Sequence, residues 1–492
     1  MLPIIANASR RVALVALLCA TARSMSAQQI PPQFHAAADS FAKLVATGVV
    51  QSIAVSVTTR TGVVWETAFG FSNREENVRA TATTAYPVAS VAKSLTAIGA
   101  LRAVDRRLLD LDRPVNSYLG ALAIRVPIGN AADLTTRTLL HMTGGIPHVV
   151  RFHWPDEPRS SALDAPLGHF AAFAPGTQFH YSNESLGIVG EILARVSGKP
   201  FTRYMTEDVF RPLGMTSTAV RGADISARVR ARTYTGKPLH VVGFTRLDPE
   251  PGAGMYTSAH DLATLAREIF LAPKPALLST KQRDELFDFY DFPYYSAGWW
   301  RDPTRDRGLT LLADGAALGH SATLKVLPRE GVAVAVLVNS GVDDGFTLFL
   351  CDFVLRTSGL APAVKGRAEM PPEFVDHPIT GDTTWAGKWT GVVVAGRDSV
   401  PVTVAMDSSG FHGVVGAGLP LQSSHATQAN GVLESNIAGA LPSDAVAGQS
   451  HTLGIKLRRS DTVLTGYVTA SAQLGDRPFF VLPYYVELRR AR

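Results

Sequence analysis

Hydrophobic periodicity fails in the stretch SGLAPAVKGRAEMPPEFVDHPITGD, and that failure constrains the architecture more than any other feature. From Ser358 to Asp382, Pro, Gly and charged residues surround isolated apolar ones, and neither a two-residue nor a 3.6-residue apolar repeat survives. Such a segment buries no regular face and reads as a linker, residues 359–380. The chain has 492 residues, too many for one ordinary core. Two cores of different kinds are therefore expected, one on each side of the break.

Ahead of it, over residues 34–358, helix and strand patterns mix. FHAAADSFAKLVATG carries apolar residues at helical spacing, and SIAVSVTTRTGVVWETAFGF reads as two strands around a turn. VASVAKSLTAIGALRAVDRRLLDLD predicts a helix with Leu95, Ile98, Leu101, Val104 and Leu108 at three- and four-residue steps. ESLGIVGEILARVSGK predicts a second helix stopped by Gly198, and SAHDLATLAREIFL a third. Strands return in SATLKVLP and GVAVAVLVNSG. Past the linker, over residues 381–492, WAGKWTGVVV, SVPVTVAMDSSGFHGVVG, HTLGIKLRR, DTVLTGYVTAS and RPFFVLPYYVELRR are short β segments between turn residues. That spacing is typical of a small all-β barrel or sandwich.

Residues 1–27 are of another kind. Two arginines precede the short apolar run VALVALLCATA, and small residues follow in SMSAQQ, the pattern of a secretory signal cleaved near Ala27. The run is too short to span a membrane, so the expected product is exported, periplasmic or extracellular, with no transmembrane helix after cleavage. Leu18 stands where a lipid-anchored Cys19 would want a small residue. Loss of this segment leaves Cys351 as the remaining cysteine, in an apolar helical run where a cysteine is a small core residue. The net charge of +5 is small for the length and the basic residues are dispersed, which argues against nucleic acid as a partner.

In YPVASVAKSLTA, Ser90 precedes Lys93 by one helical turn. Pro87 disfavours helix in the residue before it, so the helix begins close to Ser90, where backbone N–H groups are free and the dipole is positive. Lys93 shares that face and becomes a base if desolvation lowers its pKa. Ser40 and Lys43 repeat the spacing in DSFAKL, but mid-helix, so spacing alone decides nothing. Further on, Tyr181, Ser182 and Asn183 precede a helix. Ser182 or Asn183 serves as an N-cap, Tyr181 as a hydrophobic staple, and the functional reading makes Tyr181 a proton shuttle and Asn183 a substrate donor.

AYPVASVAKSLTA, LLDLDRPVNSYL, LTTRTLLHMTGGIPH, FAPGTQFHYSNESLGIVGEILARVSGKPF, VFRPLGMTST and PGAGMYTSAHDLATLA occur in that order. Together they resemble the serine β-lactamase-like hydrolases: class C β-lactamases, related carboxylesterases and D-stereospecific peptidases. The resemblance runs from Phe34 to Leu355. It implies an α/β fold of the α+β kind, with helices on a mostly antiparallel sheet, an all-helical lobe, and an appended lipocalin-like β domain. It also implies an acyl-enzyme on Ser90, proton exchange with Lys93 and Tyr181, orientation by Asn183, and no metal or cofactor. The substrate would be a small ester, β-lactam or peptide, and the oxyanion would be held by the N–H groups of Ser90 and of a late strand.

That strand should carry Lys or His, a variable residue and Gly. Aligned on SATLKVLP, the motif falls on Ala313, Asp314 and Gly315, with Ala316 as the second oxyanion donor. The missing cation leaves three outcomes open: substrates without a carboxylate, a basic residue supplied from another loop, or a catalytically impaired, penicillin-binding sensor. GHSAT, at Gly319–Thr323, lacks the closing glycine of a nucleophile elbow and runs into a strand. His141, His148 and His320 read as structural histidines. Trp299 and Trp300 line the cleft or belong to the core. The loops Val149–Pro166 and Arg283–Arg307 are expected to shape substrate choice.

Overall fold

The computed structural model describes residues 29–156, 169–288, 294–301 and 309–361, then 377–379, 383–395, 398–423, 426–429, 431–442, 445–446, 448–460 and 462–491. The expected export signal, most of the linker and parts of the two cleft loops lie outside the described residues. In the first unit the main strands are β1 (Ser52–Thr59), β2 (Gly62–Asn73), β3 (Val150–His153), β4 (Arg246–Asp248), β5 (Trp299–Arg301), β6 (Leu311–Ala317), β7 (His320–Leu327) and β8 (Val332–Val338). Its main helices are α1 (His35–Ala46), α2 (Val91–Asp105), α3 (Asn183–Ser197), α4 (Ala259–Ala266) and α5 (Phe346–Thr357).

Strands β5, β6, β7, β8, β1 and β2 are neighbours in that order in an antiparallel sheet. Its two faces are set by the two-residue period of β8. Val332, Val334, Val336 and Val338 pack with Phe34, Phe41 and Leu350 beneath α1 and α5, while Ala333, Ala335 and Leu337 face α2 and α4. Small side chains on the second face let those helices approach closely. Leu95, Ile98 and Leu101 are buried as their spacing predicts, but α2 is buried on every side from Val91 to Leu101. A helix enclosed in this way is held by packing all round and not by one stripe. It ends at Asp105, and Leu108 lies beyond it, partly buried. Helix α3 stops at Gly198, whose φ of +67° is the left-handed cap expected of glycine.

The second unit is a closed barrel rather than a sandwich. Strands β9 (Gly387–Ala395), β10 (Asp398–Asp407), β11 (Gly410–Val415), β12 (Val432–Gly439), β13 (His451–Ser460), β14 (Val463–Leu474) and β15 (Arg477–Arg490) run antiparallel from β12 through β15 to β9 and β11. The parallel pairing of β11 with β12 closes the ring. Trp389, Val393, Phe411, Leu433, Leu457 and Val468 belong to its buried core.

The units share hydrogen-bonded structure. Strand β15 pairs with β3 through Phe480 with Arg151 and Val481 with Val150, and β3 pairs in turn with β4. Phe152, Trp154 and Leu247 of the first unit lie in the barrel's apolar cluster. The short run VRFH therefore forms a strand inside a segment expected to be a cleft loop, because the partner that pairs it lies more than three hundred residues away in the chain. Among the described residues no helix is long and apolar enough to cross a membrane.

Candidate active site

Ser90 stands at the N-cap of α2, as the proline upstream predicts. Ala89, just before it, takes φ +42°, a conformation that costs an L-residue about 1 kcal/mol and is retained where the surroundings impose it. Ser90 makes no capping hydrogen bond. Its Oγ instead lies 2.9 Å from Lys93 Nζ and accepts from Tyr181 Oη at 2.7 Å. The control pair behaves differently: Ser40 Oγ donates to the Ala36 carbonyl at 2.8 Å, and Lys43 is exposed.

Lys93 is buried, and desolvation drives its pKa well below the ordinary lysine value. Besides Ser90, its amine contacts Asn183 Oδ1 at 2.6 Å and the Gly252 carbonyl at 2.8 Å. Both are acceptors and nothing else. A neutral amine has two N–H groups and one lone pair, so the two carbonyl oxygens take both hydrogens and the lone pair is left facing Ser90. Once neutral, Lys93 is placed to accept the serine proton.

Tyr181 precedes Ser182, which caps α3 by accepting from Ser185 N at 3.1 Å. Burial raises the Tyr181 phenol above its ordinary value, the Ser90 hydrogen bond opposes this, and the Asp314 charge adds to it. Tyr181 is therefore protonated and donates to Ser90. Asn183 is fixed at three points. Its N–H reaches His148 Nδ1 at 3.2 Å, its Nδ2 donates to the Val149 carbonyl at 3.3 Å, and its Oδ1 holds Lys93.

Gly315 lies against the start of α2. A Cβ added there would stand 2.4 Å from the Val88 carbonyl oxygen and 2.6 Å from Ser90 N, which is why glycine is required. Ala317 and His320 close a two-residue hairpin as a hydrogen-bonded pair. Ala316, one residue away, belongs to a non-bonded pair, so its N–H points away from β7. Strand β5 pairs with β6 only as far as Leu312, which leaves that edge uncovered by β5 beyond Leu312. Ala313 is 1% exposed and packed in the core; a methyl group fills the position where the family resemblance calls for a cation.

Trp299 and Trp300 separate by role. Trp299 is fully buried against Phe270, with ring centroids 4.9 Å apart, whereas Trp300 stacks on Tyr181 at 6.0 Å and 16°. Sequence reasoning missed Gly252 and gave His148 no part in the site. A Gly252 Cβ would lie 2.6 Å from the Asn183 carbonyl oxygen, so the PEPGAG turn needs glycine to bring its carbonyl to Lys93. Nothing in the residue types of that turn signals a lysine acceptor. Among the described residues no three His, Cys, Asp or Glu side chains gather as a metal site requires.

A family model described as Beta-lactamase matches residues 37–349. Protein flp of Staphylococcus aureus is 24% identical over 282 residues, 55% of this chain and 56% of that protein. A Beta-lactamase of Pseudomonas fluorescens is 31% identical over 206 residues, 39% of this chain and 53% of its own length. The chain thus spans about half the length of these relatives. A crystal structure of SurE is similar in fold over 93% of this chain and 99% of its own, with TM-score 0.61 and 21% identity. That coverage includes the barrel.

Proposed function

The chain belongs to the beta-lactamase family, and on that premise we propose that it is an exported serine hydrolase working through an acyl-enzyme on Ser90. The observation that carries this reading is the Lys93 amine, buried and held by two carbonyl oxygens so that its lone pair faces Ser90 Oγ. Lys93 takes the serine proton as Oγ attacks the substrate carbonyl. The oxyanion is held by the N–H groups of Ser90 and Ala316, and Tyr181 donates its proton to the leaving oxygen or nitrogen while Lys93 returns one to Tyr181. Water then repeats the sequence to release the acid, Asn183 keeping the amine in register.

The acyl substrates are esters or amides without a carboxylate near the third motif, because the buried methyl group of Ala313 offers such a group no charge. The same alanine favours the second reading, a penicillin-binding sensor of this fold that acylates without turnover. Intact-protein mass spectrometry after exposure to an aryl ester and to a penicillin separates the two. The hydrolase gives continuous product and no lasting adduct, and Ser90→Ala abolishes it. A stable adduct on Ser90 without release establishes the sensor, and undiminished turnover by Ser90→Ala removes the mechanism altogether. Export is tested by the N-terminus of the secreted protein, expected near Gln28.

A further inference from the structure

A buried hydroxyl of the barrel reaches the residue next to Tyr181. Tyr467 on β14 is 1% exposed, and its ring packs with Phe170, Phe173 and Tyr485. Its Oη lies 3.0 Å from Nε2 of His180, the residue next to Tyr181. A second link from the barrel leads to the other proton-handling group. His148 Nδ1 accepts the N–H of Asn183, Val149 accepts from Asn183 Nδ2, and Val150 is zipped to β15 of the barrel. Asn183 in turn holds Lys93.

We propose that Tyr467 is a positioning residue: through His180 it sets Tyr181, while strand β15 of the docked barrel holds the Asn183–Lys93 pair through β3. This rests on the serine-hydrolase reading above. The phenol ring alone would fill the seam, as Phe170 and Phe173 do beside it, so the hydroxyl is surplus to packing. A buried hydroxyl is costly unless hydrogen-bonded, and this one is spent on the segment that carries Tyr181. Burial pushes both His148 and His180 down to about 3, so each stays neutral and keeps the acceptor role the arrangement needs.

The test is Tyr467→Phe in the full chain, with Tyr485→Phe as a control that removes a hydroxyl from the same seam. Each is assayed on an alkyl butyrate ester, whose leaving group needs the Tyr181 proton, for kcat, KM and the pH profile, together with thermal stability and fluorophosphonate labelling of Ser90. Tyr467→Phe is expected to lower kcat on the order of 10-fold with KM little changed, and to displace the acid limb of kcat/KM. Tyr485→Phe keeps the wild-type kcat and profile. His180→Phe gives a loss of the same kind, and the double variant loses less than the product of the singles; it carries the prediction if Tyr467→Phe fails to fold. Wild-type kcat and pH profile in Tyr467→Phe overturn the proposal, as do equal losses in both tyrosine variants that follow thermal stability. Wild-type protein that neither hydrolyses the ester nor labels at Ser90 overturns the underlying hydrolase reading instead.

Discussion

Lys93 and Tyr181 are displaced in opposite directions by the same cause. Burial disfavours charge, so the lysine is shifted toward the neutral amine and the tyrosine toward the protonated phenol. At low pH Lys93 is protonated and cannot accept from Ser90, so kcat/KM rises with pH through the depressed lysine value. It then stays high until Tyr181 ionises, above the ordinary tyrosine value of about 10. A rate profile on an alkyl ester that already falls below about pH 9 would sink the assignment of Tyr181 as the acid. The same assignment makes Tyr181→Phe selective. A p-nitrophenolate leaves without help, whereas an anilide or alkyl ester needs the proton. The variant should lose about 10²- to 10⁴-fold on the latter and clearly less on the former, read as kcat on the two substrates.

At the scale of elements, the site is the contact of β6 with α2 and of the PEPGAG turn with α3, and glycine makes both contacts possible. Gly315→Ala drives a methyl group into the backbone of Val88, Ser90 and Val91, which no side-chain rotation relieves. The strand must move off the helix, costing about 1–3 kcal/mol of stability and separating the two oxyanion donors. Loss of one such donor lowers kcat on the order of 100-fold, so Gly315→Ala is expected to lose both melting temperature and rate. Unchanged kcat would remove Gly315 and Ala316 from the oxyanion site. These contacts mark how far the sequence was legible. Local rules placed Ser90, Lys93, Tyr181 and Asn183 at helix starts or one turn inside, but their roles were readable only from the ordered motifs that resemble the family. GVAVAVLVNSG was readable as a strand, because its β-branched run needs no distant partner to declare itself. Gly252, Trp300 and the strand Val150–His153 were not readable, because each acquires its role from a partner distant in the chain. Composition and periodicity carry no register between distant segments.

The whole molecule is joined along a seam that buries neutral histidines, and this gives it a definite response to acid. Burial holds His148 and His180 at about 3, and His141 and His320 at about 4. In the unfolded chain each takes up a proton near 6.5. Below that value the unfolded state binds protons that the folded state refuses. Stability is therefore full above about pH 6.5 and is lost as pH falls toward 4 and then 3, at about 1.4 kcal/mol per pH unit for each histidine. His169, 3.3 Å from Glu184, is raised instead, so its contribution is gained as pH falls toward 6.5 and stays constant below it, leaving the acid slope to the other four. Urea melts at pH 7, 6 and 5 should show a midpoint that drops more steeply with each step. His180→Phe should flatten that slope by about 1.4 kcal/mol per unit, because it removes one proton from the unfolded side. Two of the four histidines flank Tyr467, so acid opens the barrel seam along with the first unit. Esterase activity and barrel fluorescence from Trp389 should then be lost over the same pH range, whereas a barrel that unfolds separately from the activity would show that the seam does not couple the two units.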